Sequence, residues 1–201
     1  MRIALYFGSF NPIHVGHLVI ANYIATHHPI DQVWMVVSPH NPHKEKKGLL
    51  DAIHRLALVK EAVDTNPQLR ASDIEFSLEQ PNYTAKTLAH LKEKYPSHTF
   101  SLIIGEDNLR TFHKWYNYET ILNNHTLYVY PRVKTLQEKE KNNSEKNTLD
   151  SHPNLVFCKD APVMDISSSY IRNCIKNGQD VRYLVTPEVL KYMDEMGFYR
   201  S

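Results

Sequence analysis

Short, uninterrupted apolar runs alternate along this chain with longer stretches in which apolar positions recur every three to four residues. Ile3 to Phe7 is such a run, ended by Gly8, and suits a central strand buried on both faces of a parallel sheet. From Gly16 to about Thr26, Leu18, Val19, Ala21, Ile24 and Ala25 fall at helical spacing, and a second run, Val33 to Val37, follows Pro29. The same alternation predicts a helix from about Ala52 to Asp64, a strand near Ala71 to Glu75, a helix from Thr84 to Lys94 and a strand from Phe100 to Ile104, ended by Gly105. Strands that alternate with helices define an α/β protein built on a doubly wound parallel sheet.

Beyond a predicted strand at Leu127 to Tyr130 the pattern breaks. Residues 134–148, KTLQEKEKNNSEKNT, are polar, mixed in charge and almost without large apolar side chains. A mobile loop over 134–152 is expected there. Order resumes with a strand at Asn154 to Cys158 and a helix from about Ser168 to Lys176. A last amphipathic helix, Pro187 to Met196, has Pro in its first turn and Gly197 after its end. The final fifty residues hold too few elements for a core of their own, so residues 1–201 are read as one domain with a small C-terminal helical part.

Composition narrows the partners. The 201 residues carry 23 Lys+Arg and 22 Asp+Glu, a formal net charge of +1, which leaves no global basic field for nucleic-acid binding, so any anion site is local. Hydrophobic residues make up 42%, enough for a sizeable core. Two cysteines, Cys158 and Cys174, form neither a disulfide framework nor a multi-thiolate metal site, which fits a reducing cytoplasm. No run approaches a membrane span, and Ile3 to Phe7 is shorter than the apolar core of a signal peptide. A soluble, cytoplasmic protein is expected, with no membrane or nucleic-acid partner and with a homo-oligomer left open.

The chemistry-bearing stretch is GSFNPIHVGHL, Gly8 to Leu18, between the first strand and the first helix. Open α/β sheets bind ligands at such a junction. Backbone N–H groups at a helix start, together with its dipole, favour an anion beside Gly16 and His17. His14 and His17, three apart, can converge on that anion as hydrogen-bond donors. A plain βα turn would also explain Gly8 and Gly16, while a zinc site built on the two histidines lacks its third and fourth ligands. At the other end of the chain, Ile166-Ser167-Ser168-Ser169-Tyr170-Ile171-Arg172 places capping serines at a helix start and an arginine one turn in.

Gly8 to Leu18 resembles the HxGH segment of the nucleotidyltransferase superfamily, with Phe7 where a glycine and Asn11 where an aspartate is common. Ile166 to Arg172 resembles its ISSTxxR motif. Three further stretches are similar to bacterial nicotinate mononucleotide adenylyltransferases: Pro42-His43-Lys44, with Arg55 in the next helix; Pro81 to Leu88, PNYTAKTL; and Ile104 to Leu109, IGEDNL, followed by Trp115. Tyr183 to Val185 and Pro187 to Val189 match that family's ending. The resemblance implies a Rossmann-like fold and transfer of AMP from ATP to nicotinate mononucleotide, with Mg²⁺ carried in by ATP.

By the same resemblance, His14, His17, Lys44 and Arg172 act on the phosphates. Gly8, Ser9, Phe10, Gly16, Gly105, Asp107, Ile166, Ser167 and Ser168 surround ATP. Asn41, Thr84, Trp115 and Tyr116 hold the pyridine mononucleotide. A nicotinamide-preferring enzyme, a pantetheine-phosphate adenylyltransferase and a non-catalytic nucleotide sensor are the alternatives at this stage.

Overall fold

The computed structural model describes residues 1–39, 48–131 and 149–200. Six parallel strands form one sheet in the order β3-β2-β1-β4-β5-β6: β1 (Arg2–Gly8), β2 (Gln32–Val37), β3 (Leu69–Ser72), β4 (Thr99–Gly105), β5 (Leu127–Tyr130) and β6 (Leu155–Phe157). The fold is therefore the doubly wound, Rossmann-like α/β arrangement that the alternation predicts, with β1 central. Strand order reverses between β1 and β4, which opens a crevice at the carboxyl ends of these two strands.

Period-two alternation sends successive side chains to opposite faces, and both faces are covered. Ala4, Tyr6, Val33, Met35 and Val37 pack with α1 (Val15–His27), α2 (Ala52–Val63), α6 (Ser168–Lys176) and α7 (Pro187–Met196). Ile3, Leu5, Trp34, Val36, Leu102 and Ile104 pack with α3 (Thr84–Lys94), α4 (Glu106–Thr111) and α5 (Tyr118–Asn124). The C-terminal helices thus complete the first face. The last helix has both of its expected end signals: the Thr186 hydroxyl accepts the Val189 N–H at 3.3 Å, and Gly197 ends it at φ 64°.

Two segments differ from the sequence expectation. The strand expected over 71–75 ends at Ser72, and Ile74–Ser77 form a 3-10 turn. β3 is an edge strand whose pairing with β2 stops at Val36 and Ser72, so the next residues satisfy their amides locally, Phe76 N–H on the Asp73 carbonyl at 2.8 Å. Between Gly105 and β5, where the apolar pattern is too short to announce helices, α4 and α5 cover the second face through Leu109, Ile121 and Leu122. Most of the polar stretch expected to be a loop lies outside the described residues; Leu149 to His152 form a turn, closed by the His152 N–H on the Leu149 carbonyl at 2.9 Å. Among the described residues, no helix is long and apolar enough to cross a membrane.

The 3-10 turn buries a carboxyl. Glu75, 2% exposed, accepts the Thr87 hydroxyl at 2.8 Å. Burial pushes its pKa above the ordinary carboxylate range, partly offset by hydrogen bonds from Ser38 and Thr87. A carboxyl with a raised folded-state pKa stabilises the fold fully below its unfolded pKa and loses that contribution as pH rises through the folded value. Glu75→Gln should therefore melt above the wild type at pH 8, by roughly 2–4 °C for each ~1 kcal/mol relieved. That advantage should shrink at pH 5, and thermal melts at the two pH values check it.

Candidate functional site

The crevice is a cavity of about 520 Å³, within the range of small-molecule sites. Its floor is the carboxyl ends of β1, β4 and β5, at Gly8, Ile104, Gly105 and Tyr130. Ser9 to Asn11 and the start of α1 form one wall, and Ile166 to Ser169 with Arg172 form another. Chain segments about 150 residues apart in sequence therefore face each other across one space, as the paired motifs require.

The geometry of His17 is specific. Its Nδ1 accepts the backbone N–H of His14 at 3.2 Å, a role open only to an unprotonated nitrogen. The neutral ring therefore carries its proton on Nε2, the other edge. The ring is held by Phe10 (centroids 5.1 Å apart, edge-on), by Tyr6 (6.0 Å) and by the His14 imidazole, tilted above it at 3.7 Å. Strand β1 and the turn after it thus fix a neutral N–H donor at the cavity.

Gly16 has a different use from the one its sequence context suggests. A Cβ there would meet the His14 ring at 3.1 Å, so the missing side chain makes room for that imidazole. The start of α1 also offers fewer amides than expected: the Val15 N–H goes to the Leu184 carbonyl at 2.9 Å and the His17 N–H to the His14 carbonyl at 2.9 Å.

On the facing wall, Ser167 caps α6, its hydroxyl accepting the Tyr170 N–H at 3.2 Å. The Ser168 hydroxyl donates to the Pro12 carbonyl at 2.9 Å, and Arg172 donates through Nη1 to the Asn11 carbonyl at 2.7 Å and through Nη2 to the Ser169 hydroxyl at 3.1 Å. Ser168 and Arg172 therefore lace the second motif onto the first. Arg172 has five N–H donors, so these two bonds leave others for a ligand.

Across the floor, a Cβ on Gly105 would collide with the Asp107 carboxylate and stand 3.2 Å from the Tyr130 hydroxyl. Glycine there lets the first turn of α4 fold back over the strand end and brings Asp107 to the cavity. Trp115, half-buried against Phe112 at 5.2 Å, lines the same side. Thr84, the first residue of α3, and Tyr116, 51% exposed, stand outside the cavity lining, although Tyr83 and Tyr116 bring their rings to 5.2 Å. Asn41 and Lys44 lie outside the described residues.

Sequence reasoning left several lining residues without a role: Tyr6, Asn108, Tyr130, Met164 and the Gly48–Leu49 pair. Asn108 had a signal in the IGEDNL stretch, and Tyr6 in its alternate position along β1. Among the described residues, no group of three or more His, Cys, Asp and Glu side chains could hold a metal ion.

A crevice at the reversal of a parallel sheet, lined by an imidazole donor, an arginine and a capping serine, can hold phosphate oxygens. The chain belongs to the cytidylyltransferase-like family, whose sequence model matches residues 5–174. It is 54% identical, over all 201 residues and the full length of both chains, to a protein of Flavobacterium johnsoniae described as a probable nicotinate-nucleotide adenylyltransferase. A Bacteroides fragilis protein described in the same words is 40% identical over 190 residues, 94% of this chain and 90% of that one. The solved structure of Plasmodium falciparum nicotinic acid mononucleotide adenylyltransferase complexed with NaAD superposes with a TM-score of 0.75, covering 98% of this chain and 97% of that one. At 19% identity it shows that the fold is shared.

Proposed function

We propose that this protein moves AMP from ATP to nicotinate mononucleotide, giving nicotinate adenine dinucleotide and pyrophosphate for NAD biosynthesis. The observation that carries the reading is the convergence of His17 and Arg172 on one cavity, their segments joined by the Ser168–Pro12 and Arg172–Asn11 bonds. Full-length likeness to proteins described as nicotinate-nucleotide adenylyltransferases supports this substrate over nicotinamide mononucleotide or pantetheine phosphate.

The reaction asks little covalent chemistry of the protein. A phosphate monoester has its second pKa near ~6, so the mononucleotide is already largely dianionic at neutral pH and needs no general base. One of its oxygens attacks the α-phosphorus of ATP, the new P–O bond forms, and the bond from the α-phosphorus to the bridging oxygen breaks as pyrophosphate leaves. Catalysis is then alignment of two repelling anions and stabilisation of charge on the oxygens that gain it.

The His17 Nε2–H is assigned to an α-phosphate oxygen, with His14 beside it. Arg172, as a planar fork, the Ser167 hydroxyl and the Ser168 backbone N–H at the start of α6 are assigned to the β- and γ-phosphates. Gly8, Ser9, Phe10 and Gly16 shape the turn around them, and Ile166 closes the wall. Gly105 and Asp107 border the adenosine. Lys44 is assigned to the leaving pyrophosphate and the acceptor phosphate as a point charge, and Asn41, Thr84, Trp115 and Tyr116 to the pyridine nucleotide.

Mg²⁺ brought in with ATP would stand near Asp107 in the lining and would supply charge neutralisation on the phosphates. The two cysteines, free and buried, take no part in this chemistry and suit a reducing cytoplasm.

The reading is tested by product analysis: with ATP, Mg²⁺ and nicotinate mononucleotide, dinucleotide and pyrophosphate should appear in equal amounts. The pyridine side has its own test. If Trp115 stacks on the π-deficient ring, its emission should be quenched as the mononucleotide is titrated in. Trp34, 3% exposed within the core, gives a constant background. Unchanged emission at saturating ligand would remove Trp115 from the pyridine site.

A further inference from the structure

Arg55 is completely buried, and among the described residues its hydrogen bonds all go to backbone carbonyls. Its Nε donates to the Leu50 carbonyl at 2.8 Å, Nη1 to the carbonyls of Ser9 at 2.6 Å and Ser38 at 2.9 Å, and Nη2 to the Pro39 carbonyl at 3.0 Å. Among the described residues it makes no ion pair with a carboxylate. Asp51, one turn back at the start of α2, influences it only through space, and burial lowers its pKa from the usual arginine value. A buried guanidinium is costly to desolvate, and this one meets that cost through four carbonyl bonds, whose loss would leave those carbonyls unpaired. Its form, a fork onto backbone carbonyls of separate segments, asks for a reason.

The reason lies in what the four carbonyls belong to. Ser9 is in the turn that carries the phosphate-binding wall; Ser38 and Pro39 are the residues by which the chain leaves β2; Leu50 follows Gly48 and Leu49, which line the cavity. The same wall is gripped from the other side by Asn11. The Asn11 amide donates to the Gly48 carbonyl at 3.0 Å, while its Oδ1 accepts the Leu50 N–H at 3.2 Å and the Tyr199 hydroxyl at 2.8 Å. The backbone carbonyl of Asn11 holds Arg172. Residues 48–50 lie in no helix or strand; with Leu50 packed against the core, Arg55 and Asn11 hold their backbone beside the phosphate turn.

We infer that Arg55 is a positioning residue for nucleotide binding: through its fork of carbonyl bonds it fixes the phosphate turn at Ser9 against the Gly48–Leu50 segment, and so sets the width of the cavity where the ATP phosphates lie. The inference rests on the nucleotide reading of that cavity. The planar fork is required, because four carbonyls from three separate segments surround it, and an ammonium with three donors on one atom cannot span them. Arg55 touches no substrate itself and acts through the backbone that it holds.

The test compares the wild type with Arg55→Lys, which keeps the charge and loses the fork, and with Arg55→Met, which buries no charge and serves if the lysine variant does not fold. Circular dichroism and thermal melts fix a temperature at which each is folded. Calorimetric titration with α,β-methylene ATP then reads dissociation constant and stoichiometry separately. A positioning role predicts a dissociation constant at least tenfold weaker at full stoichiometry in the folded variant. A merely structural role would leave the constant unchanged and lower the stoichiometry as molecules unfold, which would overturn the inference. A wild type that binds the analogue but forms no dinucleotide would overturn the proposed reaction and leave the Arg55 inference to be decided by the same constants. A wild type that does not bind the analogue would overturn both.

Discussion

His17→Ala should lower kcat by roughly 10²–10³-fold, the usual cost of removing one hydrogen-bond donor aimed at charge that develops in the transition state. The geometry makes the expectation specific. With Nδ1 committed to the His14 N–H, the ring presents one donor, Nε2–H, and Phe10 and Tyr6 prevent it from turning away. The alanine variant also loses the bond to His14 and with it about 1 kcal/mol of helix capping. His17→Asn separates the two effects, because its carbonyl can stand near the place of Nδ1 while nothing replaces Nε2. Thermal stability should recover in His17→Asn and turnover should not. Recovery of both would make His17 a capping residue only.

Arg172→Ala should reduce kcat/KM for ATP by roughly 10–100-fold, from the 1.5–3 kcal/mol typical of a hydrogen bond to a charged group. Much of the loss should remain in Arg172→Lys. The guanidinium already bridges the Asn11 carbonyl and the Ser169 hydroxyl, and only a fork can keep those bonds while offering further N–H groups to phosphate. A lysine can make one of these contacts well. Steady-state kinetics with ATP varied at saturating mononucleotide distinguishes the cases, and a lysine variant with wild-type constants would show that charge alone matters at this position.

The parts of the molecule legible in the sequence are those where one local signal decides. β1, β2 and β4 are apolar on both faces and bounded by turn residues, so they read as central parallel strands whatever their neighbours. Ser167 and Pro187 mark helix starts through chemistry within one turn. β3 is less legible because Ile74 and Phe76 carry an apolar–polar alternation past Ser72, where its pairing with β2 stops. α4 and α5 rest on a few apolar contacts, Leu109, Ile121 and Leu122, too short for a periodic signal.

In the site, His14, His17, Ser167, Ser168 and Arg172 could be named because two motifs and a helix-start rule converge on them. The roles of Arg55 and Asn11 could not be read in this way. Their partners are backbone carbonyls and amides brought near by tertiary structure, and a carbonyl carries no residue identity. Tyr199 shows the same limit: its hydroxyl reaches Asn11 across 188 positions of sequence. The packing of the His14 ring against Gly16 is likewise invisible in the sequence, because it depends on how the turn places the imidazole.

The most direct test of the central claim is pyrophosphate release from ATP and Mg²⁺ by the purified protein, with nicotinate mononucleotide, nicotinamide mononucleotide and pantetheine phosphate offered in parallel as acceptors. The account predicts rapid release with nicotinate mononucleotide, weaker release with its amide and none with pantetheine phosphate. Release with none of the three would contradict it, and would make the wall of His17 and Arg172 a site for a different acceptor or for nucleotide binding without transfer.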